Sequence, residues 1–181
     1  MTLNSQMEGA LDERVIRASA NIGSSVTLRE KSANMRVKVV GLSDPFTAIR
    51  MGSGKGKLNH SPSLKDGPRK KICDYLLIAQ IDGADHAIFV ELKKSLGSKG
   101  TPEEQLLRSR SLLEYLLTVC NDDLGSKVSR PRISYVLVYE EIKLNKLSLR
   151  PDPNGKIDEI PYKSINIKRF QGTELELADL V

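Results

Sequence analysis

Residues 71–95 read KICDYLLIAQIDGADHAIFVELKKS, and this stretch decides the fold. Two runs rich in Leu, Ile, Val and Phe flank the polar segment Asp82-Gly83-Ala84-Asp85. Glycine in a short polar segment between two β-rich runs marks a hairpin. Antiparallel strands are therefore predicted over 72–81 and 86–94. Three charged side chains interrupt these otherwise apolar strands: Asp74 on the first, Glu91 and Lys93 on the second. Residues two apart in a strand share a face, so Glu91 and Lys93 converge. A turn centred on Gly83-Ala84 would set Asp74 opposite Lys93 and diagonal to Glu91. Such neighbours lie about 5 Å and about 7–8 Å apart.

Outward from the hairpin, the chain reads as a mixture of helix and strand. Thr101-Pro102-Glu103-Glu104 opens a helix, with Thr101 as N-cap, Pro102 at the first helical position and Glu104 completing a capping box. The Leu-rich stretch 105–120 continues it. RISYVLVYE, 132–140, is a buried-looking strand, and 164–170 is a further strand candidate. Upstream, Met7, Leu11, Val15, Ala18 and Ile22 recur at helical spacing, which predicts a helix over 5–22. Ser5 and Glu8 fit a capping box at its start. Strands are predicted over 26–30 and 35–42, the latter with the alternation of a half-buried strand. The order is α, β, β, β, α, β with additions, the pattern of a mixed α/β (α+β) domain.

Between these parts lies a long loop, 43–71, rich in Gly, Ser and Pro. A loop of this length inside a compact domain is usually functional or disordered. It is also where the charge sits. Lys plus Arg is 28 and Asp plus Glu is 23, a formal charge of +5. Residues 43–73 hold seven basic side chains (Arg50, Lys55, Lys57, Lys65, Arg69, Lys70 and Lys71) against two acids, Asp44 and Asp66. The whole excess thus falls in one segment. A basic segment on a neutral body suggests a polyanion partner, most often nucleic acid; a solvated loop without a partner gives the same count.

Composition removes several classes. The 181 residues suit one domain, 1–181, and a chain of this size withdraws roughly 70% of its unfolded surface from water. With 39% hydrophobic and 28% charged residues the chain is of globular composition, not disordered. No apolar run approaches the about twenty residues of a membrane span, and the N-terminus lacks the apolar core of a signal peptide. Two cysteines, Cys73 and Cys120, make no disulfide framework, so a reduced, cytoplasmic protein is expected. The two histidines, His60 and His86, are isolated and support no zinc site. GSGKGK, 52–57, lacks the spacing of a phosphate-binding P-loop. Aromatics make up 4%, too few for a stacking platform, which leans toward a duplex read through its backbone.

Two carboxylates beside a backbone carbonyl, here that of Leu92, offer the hard oxygen ligands that Mg²⁺ takes. A metal so held would polarise a phosphate and acidify a bound water. Lys93 would orient the water and stabilise charge on the transition state. The spacing D-x(16)-E-x-K alone is weak, since a hairpin end decorated with a salt bridge would also produce it.

CDYLLIA (73–79), FVELKKS (89–95) and EEQLLRS (103–109), taken with the element order, resemble the PD-(D/E)XK nuclease superfamily, the restriction-endonuclease-like fold. The resemblance covers roughly 5–140 and rests on Asp74, Glu91 and Lys93, with Cys73 standing where Pro is common. It implies a mixed central sheet flanked by helices and an Mg²⁺- or Mn²⁺-dependent nuclease cleaving DNA. It also implies two accessory candidates. An extra acid on the first helix would be Glu8, whose other reading is the partner of Ser5. A glutamine in the helix after the E-x-K strand would be Gln105, whose other reading is a surface residue. Lys55, Lys57, Arg69, Lys70 and Lys71 would track phosphates, with double-stranded DNA as partner. A chain this short would draw specificity from a homodimer or a partner protein. Restriction, anti-phage defence, mobile-element processing and repair would each use such an enzyme. The alternative readings are an inactive module that binds nucleic acid or protein, and a subunit whose basic loop folds on a partner.

Overall fold

The structure is a computed structural model and describes residues 3–11, 16–20, 25–31, 34–42, 45–52, 58, 71–95, 101–122, 129–141 and 153–181. Helix α1 (Leu3–Ala10) is followed by β1 (Ile16–Ala20), β2 (Val26–Glu30), β3 (Met35–Val40), β4 (Phe46–Arg50), β5 (Tyr75–Ile81) and β6 (Ala84–Ser95). Helix α2 (Pro102–Asp122), β7 (Arg132–Glu141), β8 (Lys156–Tyr162), β9 (Ile165–Gln171), β10 (Glu174–Glu176) and a closing 3-10 turn, Leu177–Leu180, complete the chain. Among the described residues no helix is long and apolar enough to cross a membrane.

The mixed α/β class expected from the sequence is the class found. A seven-stranded sheet has the order β1-β4-β5-β6-β7-β9-β8, and a three-stranded sheet has the order β10-β3-β2. The large sheet is mixed: β1 to β6 pair antiparallel, whereas β7 runs parallel to both β6 and β9. The parallel β6–β7 pair needs a crossover, and α2 supplies it.

Strand alternation divides the interior into two layers. Leu76, Ile78, Ala87, Phe89, Leu137 and Tyr139 face α1 and α2, whose Leu3, Met7, Leu106, Leu113 and Leu117 complete one core. Tyr75, Leu77, Ile88, Val90, Leu92, Val136 and Val138 face the other way, onto Leu28, Val37 and Val39 of the small sheet. Among the described residues the helices cover one face, and the second face is covered by β2, β3, β10 and the closing turn.

Four expectations are corrected. The helix predicted over 5–22 ends at Ala10, and Ile16–Ala20 pairs antiparallel with β4 instead. Gly9 costs such a helix about 1 kcal/mol, and pairing along β4 satisfies backbone groups that an exposed edge would leave open. Because α1 begins at Leu3, Ser5 lies inside the helix and is not its N-cap. Secondly, the 43–71 loop contains a strand. Phe46–Arg50 pairs with β5, and Met51 bridges Leu58. The five-residue run FTAIR between Pro45 and Gly52 was too short to show alternation. Thirdly, the strand predicted over 35–42 ends at Val40, and it lies in the small sheet. The αβββαβ order is met by α1, β4, β5, β6, α2 and β7.

The fourth correction is one of register. Asp82 and Gly83 have φ of 51° and 75°, the two left-handed residues of a type I′ turn. The hairpin is therefore centred on Asp82-Gly83, with Ile81 opposite Ala84 and Tyr75 opposite Val90. Asp74, one residue before β5, lies beside Val90 and Leu92, with its N–H on the Val90 carbonyl and its carboxylate on the Leu92 N–H, and not opposite Lys93.

Candidate active site

Glu91 and Lys93 follow Phe89 on β6 at intervals of two and so point to the helix-covered face. Glu91 is 1% exposed, and its Oε1 lies 2.5 Å from Nζ of Lys93, which is 19% exposed. Its other oxygen, Oε2, is buried with no hydrogen-bond partner. Burial pushes the Glu91 carboxyl up to about 7, against the opposing charge and hydrogen bond of Lys93.

Asp74 sits in the bend that leads into β5. Its backbone N–H donates to the Val90 carbonyl at 3.1 Å. Its Oδ2 accepts from the Leu92 N–H at 2.9 Å, replacing the backbone partner that the end of β5 no longer provides. In a strand the N–H and C=O of one residue point to the same edge, so the Leu92 carbonyl also faces the Asp74 side. Desolvation, and then the charge of Glu91, raise the Asp74 carboxyl well above the usual carboxylate range, against the pull of the Leu92 N–H.

A third carboxylate reaches this point from the small sheet. Glu30 hydrogen-bonds Asp74 and raises its pKa further, and its charge also acts on Glu91. The sequence held a signal for it: Val26, Leu28 and Glu30 alternate on the inward face of β2, so an acid falls where a hydrophobe is expected. Tyr75 fixes the approach. Its hydroxyl accepts from the Arg29 N–H at 2.9 Å and donates to the Arg29 carbonyl at 3.0 Å, tying β2 to the residue after Asp74.

Helix α2 holds the other side of the bend. Gln105 Nε2 donates to the Ile72 carbonyl at 3.3 Å. The Ser109 hydroxyl, fully buried, accepts from the Cys73 N–H at 2.9 Å and donates to the Gln105 carbonyl at 2.7 Å. Gln105 is thus a positioning residue for the chain just before Asp74, not a surface glutamine. Cys73 packs its thiol on Met51 and the Tyr75 carbonyl, and burial raises its pKa.

The structure does not gather the remaining candidates here. Glu8 Oε1 accepts from the Thr47 hydroxyl at 2.9 Å. Thr47 lies four residues along β4 from Met51, whose N–H bonds the Asp74 carbonyl, a separation of about 13 Å. Of the basic candidates, Lys71 is exposed just before the site. Lys55, Lys57, Arg69 and Lys70 lie outside the described residues.

Asp74, Glu91 and Glu30 thus set three carboxyls against one ammonium in a largely buried space. Among the described residues, no three His, Cys, Asp or Glu side chains form a metal cage of their own. The donor set fits a hard cation that takes two carboxylates, a carbonyl and water. No protein-family model matches this chain, and neither a curated protein nor a solved structure is significantly similar to it.

Proposed function

We propose that this chain is a metal-dependent nuclease that hydrolyses phosphodiester bonds of DNA. The observation that carries the reading is Glu91: a carboxylate buried on a strand, with one oxygen on Lys93, the other without a partner, and the Asp74 carboxylate held on the N–H of the next residue, Leu92. Carboxylates held this close and this dry resist ionisation together unless a cation joins them. Mg²⁺ or Mn²⁺ would be held by Asp74, Glu91 and the Leu92 carbonyl. When bound, it would polarise the phosphate and lower the pKa of a coordinated water.

The chain's own residues supply the rest. Lys93 reaches the partly exposed rim of the site and would orient the attacking water and stabilise negative charge as it develops. Gln105 and Ser109 fix the 72–73 backbone, and so the position of Asp74. The D-x(16)-E-x-K spacing and the αβββαβ order support the same reading through their likeness to PD-(D/E)XK nucleases.

A second reading is favoured by the short Glu91–Lys93 ion pair, which compensates half of the site without any cation: a module that binds nucleic acid or a protein and does not cleave. Incubation with supercoiled plasmid separates the two. The nuclease reading expects nicked or linear product with Mg²⁺ or Mn²⁺, none with chelator, and none from Asp74→Asn. Binding without cleavage by the wild-type protein supports the second reading.

A further inference from the structure

The outward face of the small sheet carries Thr27 and Arg29 on β2 and Arg36 and Lys38 on β3, all exposed. The ladder sets Arg29 directly opposite Arg36, and Thr27 opposite Lys38. Like charges directly opposite each other on a ladder destabilise it, and two exposed arginines gain no burial in exchange. Lys38 has a counter-ion, Glu174, at 2.9 Å. Arg29 and Arg36 have no ion-pair partner among the described residues. A groove of about 380 Å³ opens beside Arg36, lined by Thr27, Asn34, Arg36, Lys38, Glu140 and Thr173. Two cations with hydroxyl and amide donors around them suit a phosphate oxygen, and the single acid leaves the groove net positive.

This face is mechanically joined to the candidate site. Both backbone groups of Arg29 are held by the Tyr75 hydroxyl. Glu30, the next residue, turns inward and hydrogen-bonds Asp74. Occupancy of the basic face and the position of the carboxylates therefore meet on a single strand, β2.

We propose that the Arg29–Arg36 face binds the phosphodiester backbone of a nucleic acid, an inference that rests on the nuclease reading for its substrate. The repulsion across the ladder is relieved when a phosphate lies between the two guanidiniums. Phosphate contacts of this kind position the duplex without reading its sequence.

The test is the double variant Arg29→Gln/Arg36→Gln, measured by fluorescence anisotropy with a labelled DNA duplex in chelator, where nothing is cleaved. Affinity is expected to fall to a similar extent on two unrelated sequences. The slope of log affinity against log salt should become shallower by about 2, from about 0.9 per lost contact. The variant's melting temperature should equal or exceed that of the wild type, which separates lost binding from lost folding. Unchanged affinity and slope overturn the inference, and if the wild type still cleaves, the nuclease reading stands without it. A wild type that binds with the expected slope change but never cleaves supports this face and removes the nuclease reading. A wild type that does not bind duplex DNA overturns the inference.

Discussion

Replacing Glu91 by Gln should stabilise the metal-free protein, and most strongly at high pH. The Glu91 carboxyl is pushed from about 4.5 up to about 7 in the folded chain. The folded state therefore holds this proton more tightly than the unfolded state does. That contribution is full below about 4.5 and is lost as pH rises through about 7, the reverse of an ordinary paired carboxylate. At about 1.4 kcal/mol for each tenfold change in proton affinity, ionised Glu91 costs the fold about 3 kcal/mol. Glutamine has nearly the same shape and cannot ionise. Glu91→Gln should then raise stability by about 3 kcal/mol at pH 8.5 and by only about 1 kcal/mol at pH 5.5. For a chain of this length the larger figure is a rise in melting temperature of about 6–12 °C. Urea melts of both proteins in chelator at the two pH values measure it. Mg²⁺ at pH 8.5 should raise wild-type stability and leave the variant unchanged, since the variant lacks one of the two carboxylates proposed to hold the ion. A variant that is destabilised, or stabilised equally at both pH values, would refute the electrostatic account.

Lys93→Met should do the opposite: a loss of about 3 kcal/mol at pH 8.5, where Glu91 is left as an uncompensated buried charge, and little loss at pH 5.5, read from the same melts. Ser109→Ala removes the acceptor of the buried Cys73 N–H and should cost about 1–3 kcal/mol by chemical denaturation. It should also reduce any cleavage activity through displacement of Asp74. Glu30→Gln should lower the pKa of Asp74, because Glu30 now raises it by hydrogen bond and charge; carboxyl ¹³C shifts followed through a pH titration report this directly.

The elements with strong local signatures were legible in the sequence. The 71–95 hairpin, α2 from its Thr101-Pro102 start, and the strand at 132–141 follow from turn chemistry, capping and long apolar runs. What escaped was decided by tertiary pairing. Ile16–Ala20 contains residues that also fit a helical stripe, and only the partner strand Phe46–Arg50 makes it β. That partner was hidden in turn because the six residues between Pro45 and Gly52 show no period. These errors leave the candidate residues Asp74, Glu91 and Lys93 untouched, because all three lie in the most legible stretch, 71–95. Even there, the turn lies one residue earlier than expected, which moves Asp74 from Lys93 to the Val90 carbonyl and the Leu92 N–H. Glu30 and Ser109 come from other elements, β2 and α2, and no local pattern links them to Asp74 in advance.

Asp74 and Glu91 are proposed to bind one divalent cation together. Titration of Mn²⁺ into the protein at pH 8, followed by the loss of the free-ion electron paramagnetic resonance signal, measures this without reference to any substrate. One tightly held ion per chain is expected in the wild type, abolished by Asp74→Asn and by Glu91→Gln, and weakened at pH 5.5 as Glu91 takes up its proton. Equal Mn²⁺ uptake by wild type and both variants, or none by the wild type at millimolar metal, would contradict it.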